Sequence, residues 1–413
     1  MTGIFVFLHP ECLLHKAGIL RFMKKSLLTL TLGGIVIGMT EFMMMGVLPD
    51  VARSLSISIP KAGNLISIYA LGVIIGAPLM TALTGHFAPK KVLMGMMLLF
   101  TLFNTLFAFA PSYPLLMAAR LCAGLPHGAF FGMGAVVASR LSDPGREARS
   151  VSMMFAGLTI ANIIGVPLGT YIGHHFSWRI SFLVIAGLAF LAAGGIKRWM
   201  PNLSPSSNGS FAQSLNVFGK VEIWLIIGVC AIGTGGLFTW ISYIAPLMTE
   251  VVGFSANSVT YIMIIAGVGM AVGNFIGGRL ADRFSPLKTT TSLLLSMIAS
   301  LLFIVMLSHF KAPSLLMTFV TGAVAFAIIA PMQMLMIRAA KGSEMLASSA
   351  LQASANMGNA LGAYLGGLPL RAGYGYTSPE YVGVALAFTG FIFCMILTWR
   401  AREKGASPAA IAS

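Results

Sequence analysis

IAGVGMAVGNFIGGRLADRFSPLK (265–288) is an apolar stretch that ends abruptly in Arg279, Asp282, Arg283 and Lys288. It has an echo in YALGVIIGAPLMTALTGHFAPKK (69–91), at an offset of 197 residues. The match pairs Gly72 with Gly269, Gly76 with Gly273, Leu83 with Leu280, Phe87 with Phe284, Pro89 with Pro286 and Lys91 with Lys288. A second echo sets GVPLGTYIG (165–173) against GNALGAYLG (358–366) at an offset of 193 residues, placing a fifth and an eleventh apolar segment in equivalent positions. The two halves are copies of one design. Parallel repeats about an axis normal to a membrane are one way in which transporters build a central site with alternating access.

The 413 residues are 57% hydrophobic and only 9% charged, and mean hydropathy is +0.89. A soluble domain carries about 25% charged residues, so water is not the main solvent here. Apolar runs fall at 26–49, 62–84, 91–110, 114–139, 149–173 and 180–196, then at 221–248, 256–278, 289–309, 313–337, 346–369 and 379–399. Each is near the roughly 20 residues that span a hydrocarbon core. Between the sets, PNLSPSSNGS begins a polar linker that cannot span. The expected organisation is an N-terminal segment (1–25), a six-helix bundle (26–196), a linker (197–220), a second bundle (221–401) and a tail (402–413). The fold class is all-α, with twelve transmembrane helices.

A formal charge of +15 would suggest a nucleic-acid partner in a soluble protein. The placement of the 26 basic residues argues otherwise. With the amino terminus inside, 20 fall in inside segments and 5 outside, leaving Arg120 within a span. That bias predicts both termini on the cytoplasmic side of the inner membrane. The basic residues are spread over many short loops, which excludes a nucleic-acid face. Residues 1–22 contain apolar runs too short to span and no cleavage site, and Met23-Lys24-Lys25 reads as the natural start. An interfacial amphipathic segment is the alternative. Cys12, Cys122, Cys230 and Cys394 show no disulfide framework and no metal spacing.

Several motifs sharpen this reading. Gly278-Arg-Leu-Ala-Asp282-Arg283-Phe-Ser-Pro-Leu-Lys288 resembles the GxLADRxGRR loop of the major facilitator superfamily. Arg120 with Gly124 resembles that family's fourth-helix RxxxG, and Phe176-Ser-Trp178-Arg179 its ending before the sixth helix. TEFMMMGVLPD, RLCAGLPHGAFFG and ANIIGVPLGTY look like the arabinose-induced efflux permeases of the twelve-helix drug:proton antiporter group. The resemblance covers Met23 to about Arg402. It implies that Asp282 meets a helix amino terminus across the interface of the halves while Arg283 joins a charge network, latching the cytoplasmic gate. A carboxylate is stabilised at a positive helix end; the alternative is a plain stop-transfer loop. The first-half copy, Gly85 to Lys91, lacks the acid, and its lysines serve topology. Gly157, Gly165, Pro167, Gly169 and Gly173 partly match an exporter motif, GxxxGPxxGG, with Val166 before the proline; small residues also allow close helix packing.

Three ionisable residues stand out. Glu41 is the one carboxylate inside an apolar span, the other acids lying in loops or at helix ends. Burial favours the neutral carboxyl, and a cation or contact with the cytoplasm would release the proton. A structural, hydrogen-bonded carboxyl is the alternative. Arg120 is costly at such depth and must find carbonyl or carboxylate partners, unless it snorkels from a helix end. His127 is a proton carrier or a packed polar group. By the architecture that the resemblance implies, Asn162, Phe238, Trp240, Tyr243, Asn274, Gln333, Asn356 and Asn359 are candidates to line a central cavity. Trp240 and Tyr243 could equally be interface anchors, and the asparagines bonds between helices.

The resulting expectation is a monomeric proton-coupled exporter of small organic molecules such as drugs or sugars. Glu41, Arg120 and His127 handle the proton, Glu41 also meets substrate, and no cofactor or metal is needed. No GxxxxGK[ST] loop is present to supply ATP drive. A proton-coupled sugar or metabolite importer is the alternative. An integral-membrane enzyme would need a catalytic cluster that the sequence does not contain, and a channel would be an oligomer of shorter repeats.

Overall fold

The computed structural model describes residues 10–57, 59–205, 215–255 and 258–403, and among them the chain is helical with no strand. Hydrocarbon dictates this, because it offers no partner to a free backbone N–H or C=O and only helices or closed barrels satisfy every one internally. The first half contains α1 (Pro10–Ser54), α2 (Ile59–Thr84), α3 (Pro89–Phe109), α4 (Tyr113–Arg140), α5 (Glu147–Ile160), α6 (Val166–Ile172) and α7 (Trp178–Trp199). The second contains α8 (Val221–Gly228), α9 (Gly235–Pro246), α10 (Val259–Phe284), α11 (Pro286–Leu307), α12 (Lys311–Ala327), α13 (Ile329–Ala339), α14 (Glu344–Arg371) and α15 (Ser378–Glu403). Among the described residues, ten helical stretches are long and apolar enough to cross a membrane. Residues 1–9 of the suggested surplus start, 206–214 of the linker and 404–413 of the tail lie outside the described residues; from Pro10 the chain is already helical.

Several apolar runs are broken by backbone chemistry that hydropathy does not register. Pro167 has no N–H to donate to the preceding turn, and residues Ala161–Gly165 relax into a π turn, with the Val166 N–H reaching the Ala161 carbonyl. Pro331 breaks the expected 313–337 run in the same way, separating α12 from α13 at Ile328. Further π turns lie at Val229–Gly233 and Leu247–Val251, on either side of α9. At Ser177 the backbone is extended, and its Oγ accepts the Arg179 N–H at 3.2 Å, starting α7. The Phe176-Ser-Trp178-Arg179 motif is thus a clamp. Arg179 donates to the carbonyls of Ala108 (2.6 Å) and Ala110 (2.9 Å), and the Trp178 indole N–H to Ser54 Oγ at 2.9 Å.

The repeat is visible in packing. A Cβ on Gly72 would stand 3.1 Å from Gly124 Cα, and one on Gly269 would stand 3.0 Å from the Phe319 carbonyl carbon, so α2 packs on α4 as α10 packs on α12. The first half closes around a large apolar cluster that includes Leu30, Phe100, Phe130 and Phe155, and holds a small one of Tyr69, Val73 and Ala123. The second half holds two.

Between the halves, the hydrogen bonds gather at the end that carries residues 197–220. There Thr81 Oγ1 meets Ser349 Oγ at 2.6 Å, and Asn274 Nδ2 donates to the Ser152 carbonyl at 2.6 Å. Asn274 therefore belongs to this closed seam and not to a cavity wall, which corrects the expectation for it.

The glycines of the exporter-like motif face α1. A Cβ on Gly157 would lie 2.7 Å from Ile35 N and 2.8 Å from Gly34 C, and one on Gly165 would lie 2.9 Å from Met39 Sδ. Backbone cannot yield as a side chain can, so Gly157→Val should destabilise the first bundle by about 1–3 kcal/mol through overpacking. A lower thermal unfolding midpoint would register this. Gly187→Val, where a Cβ meets nothing within 4 Å, should leave the midpoint unchanged.

Candidate functional site

Arg120 sits in the second turn of α4, a few residues past the helix-starting Tyr113-Pro114. It is 1% exposed, so it does not snorkel. Its Nε donates to the Leu65 carbonyl (3.2 Å) and its Nη1 to the Thr40 carbonyl (3.1 Å), from α2 and α1 respectively. Three rings surround the guanidinium, Tyr69 at 4.3 Å, Phe107 at 5.6 Å and Phe182 at 5.9 Å. Weak hydration and a planar fork suit arginine to such a place. Nη2 has no hydrogen-bond partner among the described residues.

Glu41 follows Thr40 on α1 and is partly buried. It lies within the electrostatic reach of both Arg120 and Tyr69, yet among the described residues it forms no ion pair. The free Nη2 and the free carboxylate thus share one neighbourhood without being joined. Thr40 is fixed in turn by its own hydroxyl, which donates to the Val36 carbonyl at 3.0 Å and lies 3.5 Å from Asn104 Oδ1.

Tyr69 links this pair to His127, its hydroxyl standing 3.1 Å from Nδ1 of a 4% exposed imidazole. Phe131 packs beside the same ring at 5.5 Å. Glu41, Arg120, Tyr69 and His127 form one string across α1, α2 and α4. Sequence reasoning missed Tyr69, which looks like any aromatic in an apolar run. The signal that could have found it was Gly72 one turn on, whose repeat copy marks the face that packs on α4.

The second-half candidates do not assemble in one place. Trp240 is wholly buried in an apolar cluster, its indole N–H without an acceptor among the described residues, and Gln333 is 1% exposed with its Oε1 accepting from Gln352 Nε2 at 3.1 Å. Both are corrected as cavity-lining residues, since neither presents surface. Tyr243 donates its hydroxyl to the Ala363 carbonyl at 2.7 Å, tying α9 to α14. Asn356 donates back to its own helix at Gln352, and the first-half candidate Asn162 does the same at Leu158. Phe238 is half-buried against the α14 glycines, and Asn359 is half-buried with no hydrogen bond among the described residues. A buried acid, Glu380, was also missed, since a carboxylate in the first turn of a helix looks ordinary.

At the seam, Asp282 ends α10 by accepting the N–H groups of Ala148 (2.8 Å) and Arg149 (3.0 Å) in the first turn of α5. Gly278 permits this approach, for a Cβ there would lie 2.6 Å from Ser152 Oγ and 3.0 Å from the Ala148 carbonyl. Arg283 departs from the expected charge network. It is exposed, lies over the Phe284 ring at 5.3 Å and forms no ion pair among the described residues.

Comparison with known proteins places this arrangement. Residues 30–345 match the family model described as Major Facilitator Superfamily. The Escherichia coli (strain K12) protein AraJ is 38% identical over 382 residues, covering 92% of this chain and 96% of its own. The inner membrane transport protein YdhP of the same strain is 39% identical over 361 residues, covering 87% and 92%. Among solved structures, FucP in its outward conformation superposes with a TM-score of 0.74 at 16% identity, covering 90% of this chain and 98% of that one.

Proposed function

The chain belongs to the major facilitator superfamily, and from that premise we propose that it is a proton-coupled exporter of small organic molecules. Members of the family are secondary transporters, not enzymes, and this one is a multi-pass membrane protein. The proposed form has twelve spans. The helical stretch Glu147–Trp199 counts as two, divided at Ser177, and α14 adds another despite its polar Ser348, Ser349, Gln352 and Asn356. Both termini are cytoplasmic, so the seam of Thr81, Asn274 and Asp282 closes the cytoplasmic side while the opposite side admits or releases solute.

The observation that carries the proton reading is the unjoined pair, Glu41 beside the free Nη2 of Arg120. A protonated Glu41 leaves Arg120 bonded to the Thr40 and Leu65 carbonyls; a deprotonated Glu41 can take Nη2, or a substrate cation in its place. Tyr69 and His127 extend the string as a second stage for the proton. One proton moving down 100 mV yields about 2.3 kcal/mol, enough for a modest uphill gradient. Export is favoured by the partial exporter motif of Gly157, Gly165, Pro167, Gly169 and Gly173; its glycines on α5, the π turn and α6 pack on α1 and hold the Glu41 helix as part of a rigid half.

The test is solute-driven proton release. Candidate cations, neutral drugs and sugars are added to the purified protein in weakly buffered solution. The expected result is proton release with at least one solute that binds, and accumulation of that solute in everted vesicles driven by inward acidification. Binding solutes that release no proton would overturn the coupling; accumulation in intact cells instead would make the protein an importer.

A further inference from the structure

The second half contains a carboxyl that the mechanism above does not use. Glu380 is wholly buried in the first turn of α15, and neither of its oxygens has a hydrogen-bond partner among the described residues. A charge on such an isolated carboxyl has no partner to offset the cost of its burial. On the neighbouring helix Trp240 is equally buried, and its indole N–H has no acceptor among the described residues.

Helix register brings these two orphans together. The antiparallel α9 and α15 touch where a Cβ on Gly236 would meet the Gly383 carbonyl at 2.7 Å. Trp240 is one turn beyond Gly236, and Glu380 one turn before Gly383. At 1.5 Å per residue the two residues come within about 2 Å of the same height, on facing sides. Leu301 and Ile304 of α11 belong to the same buried apolar cluster as Trp240, and Leu301 Cδ1 lies 3.0 Å from where a Gly383 Cβ would be.

The charged and titratable groups of the surrounding helices bond elsewhere or lie exposed or at helix ends. Tyr243 of α9 donates to Ala363, Lys288 lies at the far end of α11, and exposed His309 lies beyond its near end. Arg371 of α14 stacks on Tyr364 at 5.4 Å, Glu222 of α8 pairs with Arg400 at the far end of α15, and Tyr381 is exposed.

We propose that Glu380 is a second proton-binding site, in the second half, whose carboxyl accepts the Trp240 indole N–H when it gives up its proton. The acid O–H bond breaks and the proton passes to water at the end opposite the linker, where α15 begins. The indole keeps its own proton and becomes a hydrogen-bond donor to the new carboxylate, which the amino-terminal end of α15 also favours. Its use in the transport cycle rests on the proton-coupled reading; its existence does not.

The experiment is a pH titration of intrinsic fluorescence in lipid nanodiscs, with the Trp240 contribution taken as wild type minus Trp240→Phe. Trp240 emission should shift with pH in the wild type and in Glu41→Gln, and stay constant in Glu380→Gln. An infrared band of a buried protonated carboxyl, present in the wild type and missing in Glu380→Gln, should fade over the same pH range. A Trp240 signal that ignores pH, or that still titrates in Glu380→Gln, overturns the site. No substrate enters this measurement, so it is separate from proton coupling, which falls only if wild-type protein releases no proton with a bound solute. In that second assay Glu380→Gln should lower the protons released per solute, and unchanged release would remove Glu380 from the cycle.

Discussion

Asp282→Ala is expected to shift the balance of closed and open cytoplasmic ends by about 100-fold toward the open one. In the closed state the carboxylate accepts two backbone N–H groups, from Ala148 and Arg149, where α5 begins across the seam. A hydrogen bond to a charged group contributes about 1.5 kcal/mol or more, and the helix end adds to it. Two such bonds come to about 3 kcal/mol, or two factors of ten at about 1.4 kcal/mol each. The Thr81 to Ser349 and Asn274 to Ser152 bonds remain, so the halves still meet but less often. Spin labels at Pro144 and Lys341, both exposed beside the seam, would report the change as a longer distance in most molecules. Asp282→Asn retains one acceptor and should fall between the two. An unchanged distance distribution in Asp282→Ala would show that the latch contributes nothing to closure.

What could be read from the chain alone divides along physical lines. Arg120, Glu41 and Asp282 stand out because a charge in an apolar run, or at its edge, is expensive and hence informative. The packing of the halves could be read from Gly72 and Gly269, since a repeat preserves the residues at which backbones touch. Trp240 illustrates the opposite case. Its amphipathic side chain suggested a surface, but α9 turns it into the bundle, and no local pattern distinguishes the two faces of a helix that is apolar all round. Glu380 escaped notice because its burial is produced by α9 and α11, distant in sequence. The break at Ser177 falls between the runs 149–173 and 180–196 and could be read, whereas the break at Ile328 lies inside the run 313–337, where Pro331 alone marks it.

The exporter-like stripe shows how one feature supports two readings. Gly157, Gly165 and Gly169 could be expected to act in coupling or in packing, and their missing Cβ atoms are met by α1. Packing is their immediate effect. Coupling then follows from it, because α1 carries Glu41 and its position relative to Arg120 depends on how tightly α5 and α6 hold it.

Glu41→Gln is expected to lower uphill transport by at least about 100-fold, the low end of what a positioned acid or base contributes to a proton-transfer step. Glutamine matches the shape of the protonated acid but cannot release a proton, so the protein should remain folded with Arg120 still bonded to Thr40 and Leu65. Solute binding should persist for neutral compounds and weaken for cations, which lose a negative partner. Exchange of labelled for unlabelled solute down no gradient should continue, because rocking of the halves needs no net proton movement. Paired assays therefore separate two functions in one variant: counterflow retained, accumulation lost. If accumulation survives in Glu41→Gln and fails in His127→Gln, the proton enters through the Tyr69 hydroxyl and imidazole, and Glu41 serves only to orient Arg120. If both processes fail while the thermal midpoint is unchanged, the carboxylate is needed for conformational exchange itself, through the Nη2 of Arg120, which has no hydrogen-bond partner among the described residues.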